Sequence, residues 1–68
     1  MSVHLNGRPD RLPDGHTLAD VVRRFTGDTS PRGIAVALNG TVVRRADWPA
    51  TALSDGDRVE VLTATQGG

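Results

Sequence analysis

Two histidines, His4 and His16, three serines, Ser2, Ser30 and Ser54, and the aspartates of Asp55-Gly56-Asp57 are the obvious residues for acid, base, nucleophile or metal-ligand chemistry. None is placed to perform it. The histidines have neither cysteine nor a carboxylate at ligand spacing, and read as surface or partly packed residues. No serine stands in a nucleophile-elbow context. Asp-Gly-Asp lacks the further oxygen ligands of a calcium loop and reads as a turn. No glycine-rich phosphate-binding pattern precedes a helix. Cysteine is absent, which removes thiolate chemistry, disulfides and sulfur-rich metal sites. The remaining feature is the end of the sequence, "TATQGG", Thr63 to Gly68. A terminal carboxylate is a poor electrophile. Once a partner's ATP site converts it to an acyl-adenylate, its carbonyl reacts with sulfur, nitrogen or oxygen nucleophiles. Gly67 and Gly68 carry no Cβ, so the tail is narrow enough to thread a tight channel. Residues 65–68 extend about 13–14 Å at most, enough to reach into a partner's active site.

Composition narrows the setting in which such a tail works. A chain of 68 residues forms one domain with a small core. With 37% apolar and 24% charged residues it is expected to fold. Basic and acidic residues balance at eight each, so no net field draws the chain to nucleic acid or to a membrane surface. All the basic residues are arginine. No lysine is therefore available as a general-base amine or an isopeptide acceptor. Arg44 and Arg45, with Arg58 as a possible third member, form a small basic group that reads as a solvated face. A nucleic-acid site needs aromatics among its cations, and the chain has only Phe25 and Trp48. Neither a secretion signal nor a long apolar run is evident, which makes the cytoplasm the expected location.

The elements that must carry the tail follow from spacing. "SVHL", Ser2 to Leu5, then Asn6-Gly7 and "RPDRL" predict a hairpin whose return strand, with Pro9, lies at a sheet edge and whose Leu12 enters the core. Thr17 opens "TLAD", a capping-box-like start to a helix. Leu18, Val21, Val22 and Phe25 form its apolar stripe, and Gly27 is its stop. "GIAVALNG" and "TVV" predict a second hairpin turning at Asn39-Gly40. "RRADWPATALSDGD" reads as a non-regular crossover pinned by Trp48 and Leu53, and Arg58 to Ala64 as the last strand.

The order β-β-α-β-β, crossover, β gives a two-layer α+β domain spanning residues 1–68. Its helix packs across one face of a mixed four- or five-stranded sheet. This is the β-grasp, or ubiquitin-like, arrangement, with the last strand expected beside the first and a flexible tail at 65–68. If Val59 and Val61 face the helix, Glu60, Leu62 and Ala64 face away, beside Ala35 and Ala37. Leu62, Ala64 and Ala37 are then the expected partner-docking surface.

From Val36 to Gly68, "VALNGTVVRRADWPATALSDGDRVEVLTATQGG" resembles the C-terminal half of the ThiS family of thiamine-pathway sulfur carriers. "VHLNGRP" and "TLADVV" resemble the first half. The resemblance implies that the protein is not an enzyme but a protein cosubstrate, with no cofactor of its own. A ThiF-type, E1-like adenylyltransferase uses magnesium-bound ATP to adenylate Gly68, and a sulfur-delivery protein supplies sulfur. The resulting thiocarboxylate donates sulfur to a ThiG-type thiazole synthase. Gly67 forms the narrow neck and Gln66 is a family-typical neighbour. The small subunit of molybdopterin synthase and a ubiquitin-like modifier are rival readings that share the activation chemistry. A passive β-grasp binding module is the rival from another class.

Overall fold

The computed structural model describes residues 1–26 and 33–63. Its elements are β1 (Ser2–Leu5), β2 (Arg8–Arg11), α1 (Leu18–Thr26), β3 (Ile34–Leu38), β4 (Thr41–Val43), a 3₁₀ segment (Arg45–Ala50) and β5 (Arg58–Thr63). The strands form one sheet in the order β2-β1-β5-β3-β4. β5 is parallel to β1 and antiparallel to β3. The last described strand therefore occupies the centre beside the first, which secures both strands.

Both hairpins turn on Asn-Gly for a backbone reason. Asn6 and Gly7 have φ of 50° and 81°, and Asn39 and Gly40 have 51° and 88°. Two consecutive positive-φ residues produce the type I′ twist that matches paired strands, and Asn and Gly tolerate it best. β2 lies at an edge with its strand-pairing capacity reduced. Pro9 has no N–H, and the N–H of Arg11 donates to Asp10 Oδ1 at 2.8 Å. Few donors remain for an added strand.

The helix face of the sheet buries Val3, Val36, Val59 and Val61 against Leu18, Val21 and Val22 of α1, with Leu12, Trp48 and Leu53 closing the core. Alternation along β5 places Val59 and Val61 inward, as expected. Phe25 departs from the expected stripe, being 47% exposed. It lies in the last turn of α1 over an open cleft shared with Leu5, Pro9 and Val21, so only part of its ring finds cover. The expected stop at Gly27 lies outside the described residues.

The crossover is more regular than its sequence suggests. Arg45–Ala50 is a 3₁₀ segment that contains Pro49 and directs Trp48 inward. The Trp48 indole N–H donates to the Val43 carbonyl at 2.9 Å, giving its polar edge a partner within the core. Proline fits because a short 3₁₀ turn requires fewer internal N–H donors than a long α-helix.

At the start of α1, Asp20 N–H donates to Thr17 Oγ1 at 3.3 Å, and Thr17 N–H donates to Asp20 Oδ2 at 2.9 Å. This is a reciprocal capping box with aspartate in the position more often held by Glu. The Leu18 N–H donates to the Thr51 carbonyl at 3.0 Å, so the crossover satisfies another free donor of the helix. The Thr17 backbone bond holds the Asp20 carboxyl below its ordinary value. The Thr17 hydroxyl, His16 and Arg23 act in the same direction, while burial opposes them. A depressed carboxylate stabilises the fold above its unfolded value, and that contribution is lost as pH falls through the folded value. The stability difference between wild type and Asp20→Ala is therefore expected to be present at neutral pH and to shrink below about pH 4. Thermal melts across pH check this; a difference independent of pH contradicts it.

Candidate functional site

β5 is the described element that directly precedes residues 64–68, where the sequence places the expected reactive glycine. Backbone pairing secures this strand on two sides. On the β1 side, His4 N–H donates to the Asp57 carbonyl and Asn6 N–H to the Val59 carbonyl, both at 2.9 Å. On the β3 side, the register runs from Leu38 opposite Val59 to Ile34 opposite Thr63.

Side chains from the two Asn-Gly turns extend this pairing. Asn6 Oδ1 accepts from the Val61 N–H at 2.8 Å, and Asn6 Nδ2 donates to the Val61 carbonyl at 3.2 Å. Asn39 Oδ1 accepts from the Arg58 N–H at 2.9 Å, and Asn39 Nδ2 donates to Asp57 Oδ1 at 3.0 Å. Sequence reasoning treats these asparagines only as turn residues. The available signal is the repetition of Leu-Asn-Gly, because glycine alone would satisfy the backbone at either position.

The Asp-Gly-Asp segment is a turn. Asp57 Oδ2 accepts from the Ser54 N–H at 2.8 Å, and Asp55 Oδ1 accepts from the Ser2 N–H at 2.7 Å. Both carboxylates thus secure the approach to β5. Among the described residues, no three His, Cys, Asp or Glu side chains lie together as a metal site. His4 is exposed and His16 half-buried. Arg44 pairs with Asp47 at 3.5 Å on the 3₁₀ segment, whereas Arg58 lines a shallow cleft with His4 and Glu60. Among the described residues, no helix is long and apolar enough to cross a membrane.

Opposite α1, the sheet has an open face. Leu62 is 63% exposed and lies opposite Ala35, which is also exposed. Half-buried Ala37 lies between Glu60 of β5 and Val42 of β4. Val42 is 72% exposed and extends the apolar patch; sequence analysis overlooks it, although Val43 facing inward dictates its outward direction. Leu62 and Ala37 thus occupy the face expected of them. Ala64, Gln66, Gly67 and Gly68 lie outside the described residues, as does the whole of the expected tail 65–68.

Comparison with known proteins places this geometry. The ThiS family model matches residues 3–68. The sulfur carrier protein ThiS of Thermus thermophilus is 39% identical over 66 residues, covering 97% of this chain and 98% of that protein. A thiazole synthase of Magnetococcus marinus is 34% identical over 68 residues; the match covers all of this chain and only 20% of that protein's length. The crystal structure of the thiamine biosynthesis protein ThiS from Geobacter metallireducens superposes with a TM-score of 0.81 at 28% identity, covering 100% of both chains. The sequence match across the domain and the shared β-grasp fold agree: the chain belongs to the ThiS family, the small sulfur carriers of thiamine biosynthesis.

Proposed function

We propose that sulfur is carried on Gly68 and that the chain is a protein cosubstrate of partner enzymes. A ThiF-type, E1-like enzyme is the activating partner. The Gly68 carboxylate attacks the α-phosphorus of magnesium-bound ATP in that enzyme, pyrophosphate leaves, and an acyl-adenylate forms. A sulfide-level nucleophile from a sulfur-delivery protein attacks the carbonyl and displaces AMP, leaving the thiocarboxylate. A ThiG-type thiazole synthase receives the sulfur. The chain holds no cofactor of its own, and the cycle operates in the cytoplasm.

The observation that carries this reading is the family match, which runs through Gly68. Support for thiazole synthase as acceptor comes from the Magnetococcus marinus protein of that name, which includes a segment similar to this whole chain. Gln66 and Gly67 form the neck that enters the partners. Leu62 and Ala37, on the open sheet face, dock against them together with Ala64.

Intact mass after incubation with the activating enzyme, ATP and sulfide tests the chemistry. The chain is expected to gain the mass difference between sulfur and oxygen, and a Gly68 deletion is expected to gain nothing. No shift with an active enzyme indicates a passive module, and adducts on lysines of other proteins indicate a modifier. For docking, Leu62→Asp is expected to leave the circular dichroism spectrum unchanged, since exposed substitutions alter stability by only about 0.5 kcal/mol. Affinity for the activating enzyme should fall by roughly tenfold, the cost of placing a charge in an apolar contact. Unaltered binding rejects the docking face.

A further inference from the structure

We propose that Asn6 is a positioning residue for sulfur transfer. Its side-chain amide fixes the end of β5 from which residues 64–68 leave, and so sets where the Gly68 carboxylate arrives in an activating enzyme. The proposal rests on the sulfur-carrier reading above.

The argument begins with the pairing of β1. This strand supplies backbone partners to β5 as far as the Val59 carbonyl, then turns away at Asn6-Gly7. Val61 directs its N–H and C=O to the side that β1 has left. Both groups are part-buried, and the Asn6 amide meets both, at 2.8 and 3.2 Å. A side-chain amide has the donor and acceptor of a peptide unit, so it extends the parallel ladder beyond the end of its strand. Leaving these backbone groups without partners carries a desolvation cost that favours local opening.

Location distinguishes this grip from ordinary stabilisation. Val61 is two residues before Thr63, the end of β5. Asn39 makes the corresponding grip at Arg58, the other end of the same strand. One asparagine holds the start of β5 and the other holds its exit. Loosening the exit lengthens the tether that carries the carboxylate and blurs its direction, lowering its effective concentration at a reacting centre. Loosening the start leaves the exit in place.

Asn6→Gly removes the amide while preserving a residue at ease with φ of 50°. Asn39→Gly is the matched control, because its φ is 51° and it also loses two side-chain bonds, one to Arg58 of β5 and one to Asp57 just before it. Asn6→Asp restores an acceptor for the Val61 N–H without the donor. The assay is ATP–pyrophosphate exchange by an E1-like activating enzyme with the full chain as the varied substrate, alongside amide exchange at Val61.

For Asn6→Gly, kcat is expected to fall on the order of tenfold at near-constant KM, because the open face that docks is unchanged. Val61 amide exchange is expected to accelerate about 10- to 100-fold. Asn6→Asp is expected to recover part of both effects, and Asn39→Gly to keep kcat within about twofold of wild type. Wild-type kcat in Asn6→Gly overturns the proposal. So does an equal loss in Asn39→Gly, which assigns the effect to overall stability. Absence of exchange with the wild-type chain, given an enzyme active on its own carrier, overturns the sulfur-carrier reading and this proposal with it.

Discussion

Trp48→Ala is expected to lower the free energy of unfolding by about 3–5 kcal/mol, the range for removing a buried aromatic side chain. A domain of this length has roughly 3–10 kcal/mol in total, so the substitution removes from about a third to all of its stability. The effect has two sources. The indole is 4% exposed and fills the space between the crossover and the core. Its N–H also donates to the Val43 carbonyl, tying the 3₁₀ segment to the end of β4. Trp48→Phe separates them, retaining most of the apolar volume while losing the hydrogen bond, for a smaller cost of about 1–2 kcal/mol. Urea denaturation of both variants provides the measurement. A loss below about 1 kcal/mol in Trp48→Ala would place the indole outside the cooperative core.

Leu18→Ala is expected to cost about 2–5 kcal/mol. Leu18 is fully buried at the first position of α1, where helix, sheet and crossover meet. Its N–H bond to the Thr51 carbonyl involves only backbone and survives the substitution. Alanine is at least as good a helix former as leucine, so none of the loss comes from helix propensity. The loss therefore measures packing and the cavity left behind. Denaturation with an unchanged m-value confirms a two-state loss of stability; a changed m-value shows that the denatured or native ensemble has altered instead.

Local chemistry made much of the fold legible. Asn6-Gly7 and Asn39-Gly40 marked both hairpins because few other pairs accept two positive φ values in succession. Thr17 and Asp20 marked the helix start, and alternation in Val59, Glu60, Val61 and Leu62 separated the buried face of β5 from its open face. Features that depend on tertiary placement were not legible. Phe25 fits the helical stripe, but its exposure depends on how far the sheet reaches beneath the last turn of α1. Pro49 marks irregularity in a linear reading, although the backbone there forms a 3₁₀ turn. The grip of Asn6 on Val61 joins residues 55 positions apart, and no periodicity encodes such a contact. The face of Leu62 and Ala37 was readable because alternation alone determines it. The tail residues stood out because no other reactive group is placed for chemistry; the role of Gly68 entered through the family resemblance and is the subject of the proposed mass experiment.

The sheet order has a consequence for synthesis and quality control. Among the described residues β5 is the last strand in the chain, yet it is the central one, joining β2-β1 to β3-β4 in the sheet. A ribosome-bound chain that has not yet released β5 holds two hairpins and α1 without the strand that joins the hairpins into one sheet. Folding therefore awaits the arrival of the same strand that bears the tail. Any molecule that has assembled the sheet, and with it the open face, has already been translated through β5. Chains interrupted before that point lack the joining strand and stay open to proteolysis.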